Sequence, residues 1–373
     1  MSWLLLIYLA GLVLPILEHN LGNLKYIPIL GVSAVILAIR KRGFTLVDDS
    51  ILLFLFAVLL VSGTVSTLVN FSGDTLLYLI FTPINLVVYG YFRTEGVRRD
   101  HLFWFIGLCL LCALPVTGSG FGGSLTGLYN NPNALAPVMT FVLYLFYCQR
   151  VRSRLLNAAF TALIVYIVLA TRSRAGAGGM FAFLLIYWSQ RLFGVHLRSA
   201  MLALLGMCIA GYLFIMETRA IDYIEAANTA TQSDKGANFS HRDILYDVFK
   251  EKALRTPLGV GFGQSGDYAS TVLNGSNFSP HNMYLKVAVE TGWFYSIAFV
   301  LLYVYLVSTS KSLLANAFVT AYYIRCLLES ATPFTMSLPS AMLLLPFFLN
   351  EHTIRAAGRA VLPGRSPQLA AAT

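Results

Sequence analysis

The sequence has little charge for its length. Of its 373 residues, 12% are Asp, Glu, Lys or Arg, whereas 57% are hydrophobic. Soluble domains carry roughly 25% charged residues, so the charge available is too small to cover a water-facing globule of this size. This shortage excludes a soluble enzyme, a disordered protein and a nucleic-acid-binding protein. It predicts an integral membrane protein whose net charge of +9 reflects basic loops on the cytoplasmic side of the bilayer.

Cysteine is also scarce, and clusters of metal-binding side chains are missing. The five cysteines all lie in apolar segments: Cys109, Cys112, Cys148, Cys208 and Cys326. Because none lies in a polar loop, the sequence gives no disulfide framework. His, Asp and Glu do not occur together at metal-ligand spacing. We therefore expect apolar packing roles for the cysteines, and we predict neither a metal site nor another cofactor.

Apolar segments that could cross a bilayer recur about twelve times. Their cores are 3–17, 26–39, 51–69, 76–92, 102–117, 133–148, 155–171, 178–193, 200–216, 285–308, 313–328 and 335–350. The first is interpreted as a retained span, because it lacks a basic n-region and an Ala-x-Ala-like cleavage site. No internal repeat or domain boundary is visible. We predict an all-α, polytopic membrane protein with about 12 transmembrane helices in a single domain, 1–373.

Basic residues alternate between successive turns of this predicted topology. The basic turns and the C-terminal tail contain Arg40, Lys41, Arg42, Arg93, Arg98, Arg99, Arg150, Arg152, Arg154, Arg191, Arg198, Lys311, Arg355, Arg359 and Arg365. The opposite turns are acidic, neutral or glycine-rich. Because cytoplasmic loops carry an excess of Lys and Arg, this alternation predicts that both termini are cytoplasmic.

Two segments on the opposite, external side break this charge rule. One is the turn after the seventh span, which contains Arg172 and Arg174. The other is a long polar segment, 217–282, in which apolar residues at helical spacing predict a short amphipathic helix at 242–254. Arginine on the translocated side is contrary to the usual excess of Lys and Arg in cytoplasmic loops. We therefore predict that these two segments contain the residues that take part in the reaction. The glycine run at 259–263 is too irregular for a nucleotide-binding fingerprint.

The residues around the tenth span match a known pattern. His281 and Asn282 are followed by nine residues, Gly292, two residues and Tyr295. In this the chain resembles the bacterial O-antigen ligases and the related O-antigen and exopolysaccharide polymerases. Further matching segments are 129–136, Ser173-Arg174-Ala175, and Arg242 ahead of 257–261. The resemblance covers about 127–295, and the first hundred residues resemble the family only in hydropathy.

The resemblance implies a glycosyltransferase of the bacterial inner membrane with its active site at the periplasmic face. The implied donor is a glycan on undecaprenyl diphosphate, and the acceptor is a lipid A-core sugar hydroxyl or another lipid-linked glycan. Arg174 and Arg242 are expected to bind the diphosphate, with Arg172 as a further candidate, since one guanidinium group can donate two parallel hydrogen bonds to phosphate oxygens. His281 is the expected general base, with Asn282 beside it as a substrate-binding residue. Direct attack of the acceptor hydroxyl on the donor sugar would invert the anomeric centre and would need no metal ion.

Several alternatives stay open at the sequence level. Polymerases of the same superfamily differ from ligases by one motif, and a multi-span transporter or lipid-linked glycan flippase is the alternative of another class. Transporters place polar residues near the bilayer midplane, whereas here they concentrate in one outer loop. Glu290 could orient His281 or face a polar cavity. Arg325 and Glu329, spaced i,i+4, could line a lipid entry cavity or form a structural ion pair.

Overall fold

The structure, a computed structural model, describes residues 3–17, 26–39, 50–71, 73–114, 124–129, 132–193, 206, 242–265, 268, 281–329 and 337–355. Within these residues the chain is almost entirely helical. The helices are α1 Trp3–Val13, α2 Ile27–Ile39, α3 Ser50–Val69, α4 Gly73–Glu95, α5 Arg99–Ala113, α6 Pro132–Cys148, α7 Arg154–Ala170, α8 Arg174–Phe193, α9 Arg242–Arg255, α10 Met283–Thr309, α11 Leu313–Arg325, α12 Leu338–Ala341 and α13 Leu345–Phe348. Two short strands, β1 Val97–Arg98 and β2 Ile354–Arg355, pair in parallel. The predicted all-α class is confirmed.

Two helices, α6 and α11, form the centre of the fold. Almost every side chain in each of them is buried. They pack against each other and against α8, and the ring of Phe318 lies 5.6 Å from that of Phe141 and 4.8 Å from that of Tyr144. A helix that is apolar on all sides belongs inside a large core or a membrane bundle. These helices therefore hold the outer helices and the turns between them in fixed positions.

The outer helices present large apolar side chains to their surroundings. Val61 on α3 is 64% exposed, Leu155 on α7 is 81% exposed and Phe294 on α10 is 66% exposed. Contiguous apolar surface of this kind marks contact with lipid or a partner. Among the described residues, Ser50–Val69 and Met283–Thr309 are long and apolar enough to cross a bilayer, and other apolar helices are shorter. The number of twelve spans therefore stays a prediction.

The turns that the structure describes lie at two ends of the bundle, in agreement with the charge alternation. At one end, here called the His281 end, Leu17 forms a β-bridge with Tyr129, and the Asn70 side chain donates to Gly259 O at 3.2 Å. At the other, the Arg150 end, Val97 N donates to Thr353 O at 2.9 Å. Each contact joins two turns that the sequence places on the same side. Which end faces the cytoplasm stays a prediction.

Two predicted spans differ in the structure. The eleventh helix ends at Arg325, so Arg325 and Glu329 do not share a helix face as their spacing suggested. The twelfth predicted span, 335–350, contains two four-residue helices separated by a turn. Both short helices have a proline near their start, Pro339 and Pro346, and proline cannot continue the hydrogen bonding of a preceding helix. The ninth predicted span lies outside the described residues except for Gly206.

Candidate functional site

The predicted motif residue Gly292 interrupts α10. Its backbone adopts φ 81° and ψ −179°, which splits the helix into two segments. A Cβ atom at this position would lie 2.1 Å from Pro257 O. Glycine is therefore required at this position for two reasons. A positive φ disfavours residues with a side chain, and the neighbouring backbone leaves no room for a Cβ atom.

The segment after α9 packs into this interruption. Trp293 N donates to Pro257 O at 3.0 Å, Val260 N donates to Val289 O at 2.8 Å, and Gly261 N donates to Glu290 O at 2.9 Å. These bonds satisfy backbone groups that the broken helix leaves without partners. The glycine run that sequence analysis found unsuited to nucleotide binding is therefore a tight turn held against α10.

The last motif residue, Tyr295, is part of the core. Its side chain is buried, and its ring lies edge-on to that of Phe262 with 5.4 Å between centroids. A Cβ atom on Gly63 of α3 would meet both rings at 3.3 and 3.5 Å. Gly292 and Tyr295 thus fix the course of α10 and of the segment before it, rather than contributing reactive groups.

Glu290 has partners other than His281. Its Oε1 atom accepts a hydrogen bond from Ser265 Oγ at 2.6 Å and lies 3.8 Å from Lys286 Nζ. The carboxylate is almost fully buried, so these two groups compensate the cost of removing a charge from water. Of the two sequence alternatives for Glu290, the packing role in a polar interior is the one that these contacts support.

Asn282 holds the turn on which His281 lies. Asn282 is the N-cap of α10: its Oδ1 accepts from Leu285 N at 3.0 Å, and its Nδ2 donates to Leu327 O at 3.3 Å. Met283 N also donates to Cys326 O, at 2.9 Å. The start of α10 is therefore tied to the segment that follows α11. The Asn282 side chain is buried and has both polar ends in protein hydrogen bonds.

His281 lies at the surface of this turn, next to a carboxylate. Its backbone is left-handed, with φ 47°, and its side chain is 35% exposed. The Nδ1 atom lies 3.7 Å from Glu329 Oε2, while the Glu329 side chain is only 11% exposed. At this distance the carboxylate is a charged neighbour of the imidazole rather than a hydrogen-bond partner, and Nδ1 is buried without a hydrogen bond among the described residues. From the sequence, Glu329 was expected to line a lipid entry cavity with Arg325 or to pair with it, and its proximity to His281 was not predicted.

The turn with Arg172 and Arg174 lies at the same end of the bundle. Both arginine side chains are exposed, Arg172 has φ 56°, and Arg174 is the first residue of α8. Ser173 Oγ accepts from Gly176 N at 3.1 Å and donates to Asn133 Oδ1 at 2.6 Å. The Ser173 side chain thus caps α8 and ties this turn to the start of α6. Two predicted phosphate ligands therefore extend from a rigid turn.

Arg325, the last residue of α11, contacts the start of α6. Its Nη2 atom donates to Asn133 O at 3.0 Å, and its guanidinium lies 5.5 Å from the centre of the Tyr322 ring. The residue is 7% exposed, and its Nε atom forms no hydrogen bond within the described part of the chain. A buried guanidinium with an unused donor is suited to a negatively charged ligand. Asn133 joins Arg325 to Ser173.

Arg242 begins α9, and its side chain lies outside the described atoms. The α9 helix confirms the predicted amphipathic helix, one residue longer than expected. It packs on α10, where Trp293 Nε1 donates to Ala253 O at 3.0 Å. The described residues contain no group of three or more His, Cys, Asp or Glu side chains placed to hold a metal ion.

The site thus contains residues that sequence reasoning found and others that it missed. His281, Asn282, Arg172 and Arg174 all lie at the His281 end. The pairing of His281 with Glu329 was missed because the two belong to different segments. Asn133 was visible within the matched 129–136 segment, although its link to Ser173 and Arg325 was not.

Comparison with known proteins agrees with the resemblance. Residues 158–300 match the family model described as O-antigen ligase. The matched segment runs from α7 into α10 and contains Arg172, Arg174, Arg242, His281 and Asn282. No curated protein and no solved structure matches the chain. The similarity to the O-antigen ligase and polymerase superfamily, indicated by the motifs, is confirmed by this match.

Proposed function

We propose that the protein is a membrane glycosyltransferase of the O-antigen ligase type. In this proposal it transfers a glycan from undecaprenyl diphosphate to a sugar hydroxyl of lipid A-core at the periplasmic face of the inner membrane. The family match supports an activity of the O-antigen ligase or polymerase type in general, and this type of activity implies lipid-linked glycan substrates. The observation that carries the finer proposal is the contact of His281 with Glu329, at the same end of the bundle as Arg172 and Arg174.

The reaction would be a single displacement. The acceptor oxygen attacks the anomeric carbon of the donor sugar while the bond from that carbon to the phosphate oxygen breaks. His281 takes the proton of the attacking hydroxyl, a contribution of about 10² to 10⁴ in rate. Nδ1 is buried and faces Glu329, whereas the side chain as a whole is 35% exposed, so this proposal takes Nε2 as the nitrogen that receives the proton. Attack from the face opposite the leaving group inverts the anomeric centre, and no metal ion takes part.

The leaving group is undecaprenyl diphosphate, which departs with the bonding electron pair. Fixed cations stabilise such a charge as it develops. We assign this role to Arg174 and Arg242, with Arg172 as a third ligand. The capped turn around Ser173 supports the assignment, because it holds the Arg174 backbone in place before substrate binds.

Asn282 and Glu329 receive positioning roles in this proposal. Both polar ends of the Asn282 side chain are engaged within the protein, which supports a role in fixing His281 rather than in binding substrate. Glu329 orients the imidazole and stabilises the cation that forms when His281 takes a proton.

The test is complementation of a strain that lacks the protein with variants His281→Ala, Arg174→Ala and Arg242→Ala. Loss of a ligase leaves lipid A-core uncapped while long glycans persist on the carrier lipid. Loss of a polymerase, the alternative within the superfamily, leaves core capped with a single repeat. Arg98→Ala is the matched control, since Arg98 lies at the Arg150 end and pairs with Asp100. Full activity of all three normally expressed variants would refute the catalytic assignment.

A second experiment separates an enzyme from a transporter or flippase. The purified full chain in detergent micelles is mixed with lipid-linked donor and lipid A-core acceptor. Micelles have no compartments, so a transporter cannot produce a new glycosidic bond there. Formation of the bond that depends on His281 supports the enzyme, and its absence with active membrane flux supports the transporter.

A further inference from the structure

A cavity of about 560 Å³ lies at the Arg150 end, opposite His281. Its volume is within the range of about 300–1,000 Å³ that is usual for small-molecule sites. Four segments form its walls: the turn between α6 and α7, the last turns of α8, the start of α11, and the residues before β2. Its charged lining residues are Arg150, Arg152, Arg154, Arg191 and Glu351.

The charge of this cavity is strongly positive. Its carboxylate, Glu351, accepts a hydrogen bond from Ser312 Oγ at 2.6 Å and lies 3.6 Å from His352 Nε2. None of the four arginines forms an ion pair with a carboxylate in the described ranges. Several guanidinium groups around one concave space favour a phosphate-bearing ligand, since each can donate two parallel hydrogen bonds.

The walls of the cavity are held in place before any ligand binds. Arg191 Nη1 donates to Tyr187 OH at 3.2 Å, and the Arg191 guanidinium lies 5.7 Å from the centre of the Trp188 ring. The Tyr187 ring stacks on that of Tyr147 at 5.1 Å. Asn157 Nδ2 donates to Val151 O at 2.8 Å, inside the turn that carries three of the arginines. A positive-inside signal requires only charge on this side of the membrane, not four arginines that line one cavity.

Apolar side chains continue outward from the cavity. Leu313 belongs to its lining and is 50% exposed, while Leu155, adjacent to Arg154, is 81% exposed. A ligand that occupied the arginines and also covered these leucines would need a charged head and apolar chains. A phospholipid has both.

We propose that this cavity binds the phosphate headgroup of an anionic phospholipid, with the acyl chains lying along the exposed leucines of α7 and α11. The site shares no residue with the His281 end, so lipid binding there can be tested independently of glycan transfer. Binding there would fix the depth of the Arg150 end relative to the lipid phosphates.

The test uses the purified full chain in neutral detergent, with lipid binding measured by native mass spectrometry. The probes are phosphatidylglycerol, phosphatidylcholine and inorganic phosphate. Both lipids carry a phosphate, but the choline cation of phosphatidylcholine offsets that charge and is repelled by the arginines, so we expect phosphatidylglycerol to bind at least about tenfold more tightly. The double variant Arg150→Gln/Arg191→Gln should lose about that factor, Arg150→Lys/Arg191→Lys should lose less, and Arg98→Gln, outside the cavity, should lose nothing.

Two outcomes overturn the proposal. If the glutamine double variant binds phosphatidylglycerol like the parent protein, the cavity is not the lipid site. If inorganic phosphate at millimolar concentration displaces the lipid, the site takes a soluble phosphate instead. Because the first double variant could fail to fold, Arg152→Gln/Arg154→Gln tests the same cavity from its other wall. Elution as a single species in size exclusion establishes folding of each variant.

Discussion

The Nδ1 atom of His281 lies 3.7 Å from Glu329 Oε2, and these two residues come from different segments of the chain. His281 precedes α10, and Glu329 follows the turn that ends α11. Two hydrogen bonds hold the segments together, from Met283 N to Cys326 O and from Asn282 Nδ2 to Leu327 O. The imidazole and the carboxylate are therefore positioned by the fold rather than by a flexible loop.

Glu329→Gln is expected to lower kcat by about 10- to 100-fold, with little change in KM for either substrate. The amide keeps the shape of the side chain but loses the charge that stabilises protonated imidazole. The loss should be no greater than the factor of about 10² to 10⁴ that a general base contributes. Steady-state kinetics of glycan transfer by the purified chain measures it.

Glu251→Gln is the control for removing an acidic charge. Glu251 is exposed and forms an i,i+4 pair with Arg255 on α9, and such surface pairs contribute about 1 kcal/mol or less. We expect wild-type kinetics for this variant. An equal loss of activity in both variants would show that charge in general, rather than the contact with His281, determines the rate.

Asn282→Ala is expected to lower both the stability and kcat. The variant loses the N-cap of α10, which costs about 1 kcal/mol, and the bond to Leu327 O. Asn282→Ser restores a capping oxygen and should recover part of the stability, measured as the midpoint of thermal unfolding in detergent. A positioning role predicts an unchanged KM for the donor. A large increase in that KM would instead establish Asn282 as a substrate ligand.

The sequence was sufficient to predict the helical class, the end of the bundle at which each described turn lies, and the superfamily that the His281 motif indicates. Each of these depends on local signals: hydropathy, the alternation of arginines, and fixed spacing around Gly292. The amphipathic helix α9 was also predictable, because its apolar residues recur at helical intervals and Pro257 follows its end.

The partners of charged residues could not be predicted in the same way. Spacing i,i+4 suggested that Arg325 pairs with Glu329, but α11 ends at Arg325 and the chain turns back towards His281. Glu290, nine residues from His281, instead meets Ser265 from the preceding segment. These pairings depend on which helix ends lie together, which no local pattern of one sequence specifies.

Gly292→Ala is expected to destabilise the protein severely. The backbone conformation of Gly292, φ 81° and ψ −179°, is essentially restricted to glycine and costs about 1–3 kcal/mol for a residue with a side chain, and the new methyl group would meet Pro257 O at 2.1 Å. Gly107→Ala is the matched control, because a Cβ atom there meets nothing within 4 Å in the middle of α5. That change should be neutral or stabilising by about 0.5–1 kcal/mol. The midpoint of thermal unfolding in detergent is measured for both variants. Equal midpoints would contradict the kink of α10 at Gly292.

Arg325→Met tests whether the buried charge of Arg325 is needed for donor binding or for the stability of the folded protein. Methionine fills much of the same volume, and apolar replacement of buried charges is often neutral or stabilising. We expect an unfolding midpoint close to that of the parent protein but at least about a tenfold lower rate of transfer, since a charge-assisted contact with the donor would be lost. Retained activity would assign Arg325 to packing against Tyr322 and Asn133 alone.

The orientation of the bundle can be measured by labelling single cysteines. Arg152 and Arg255 are both exposed and lie at opposite ends, on the turn before α7 and at the end of α9. In a chain whose five native cysteines are replaced by serine or alanine, Arg255→Cys should react with a membrane-impermeant maleimide in cells with a permeabilised outer membrane. Arg152→Cys should react only after the inner membrane is opened, because basic turns remain in the cytoplasm. The reverse pattern would place His281 and Glu329 in the cytoplasm, where they could not act on a periplasmic acceptor.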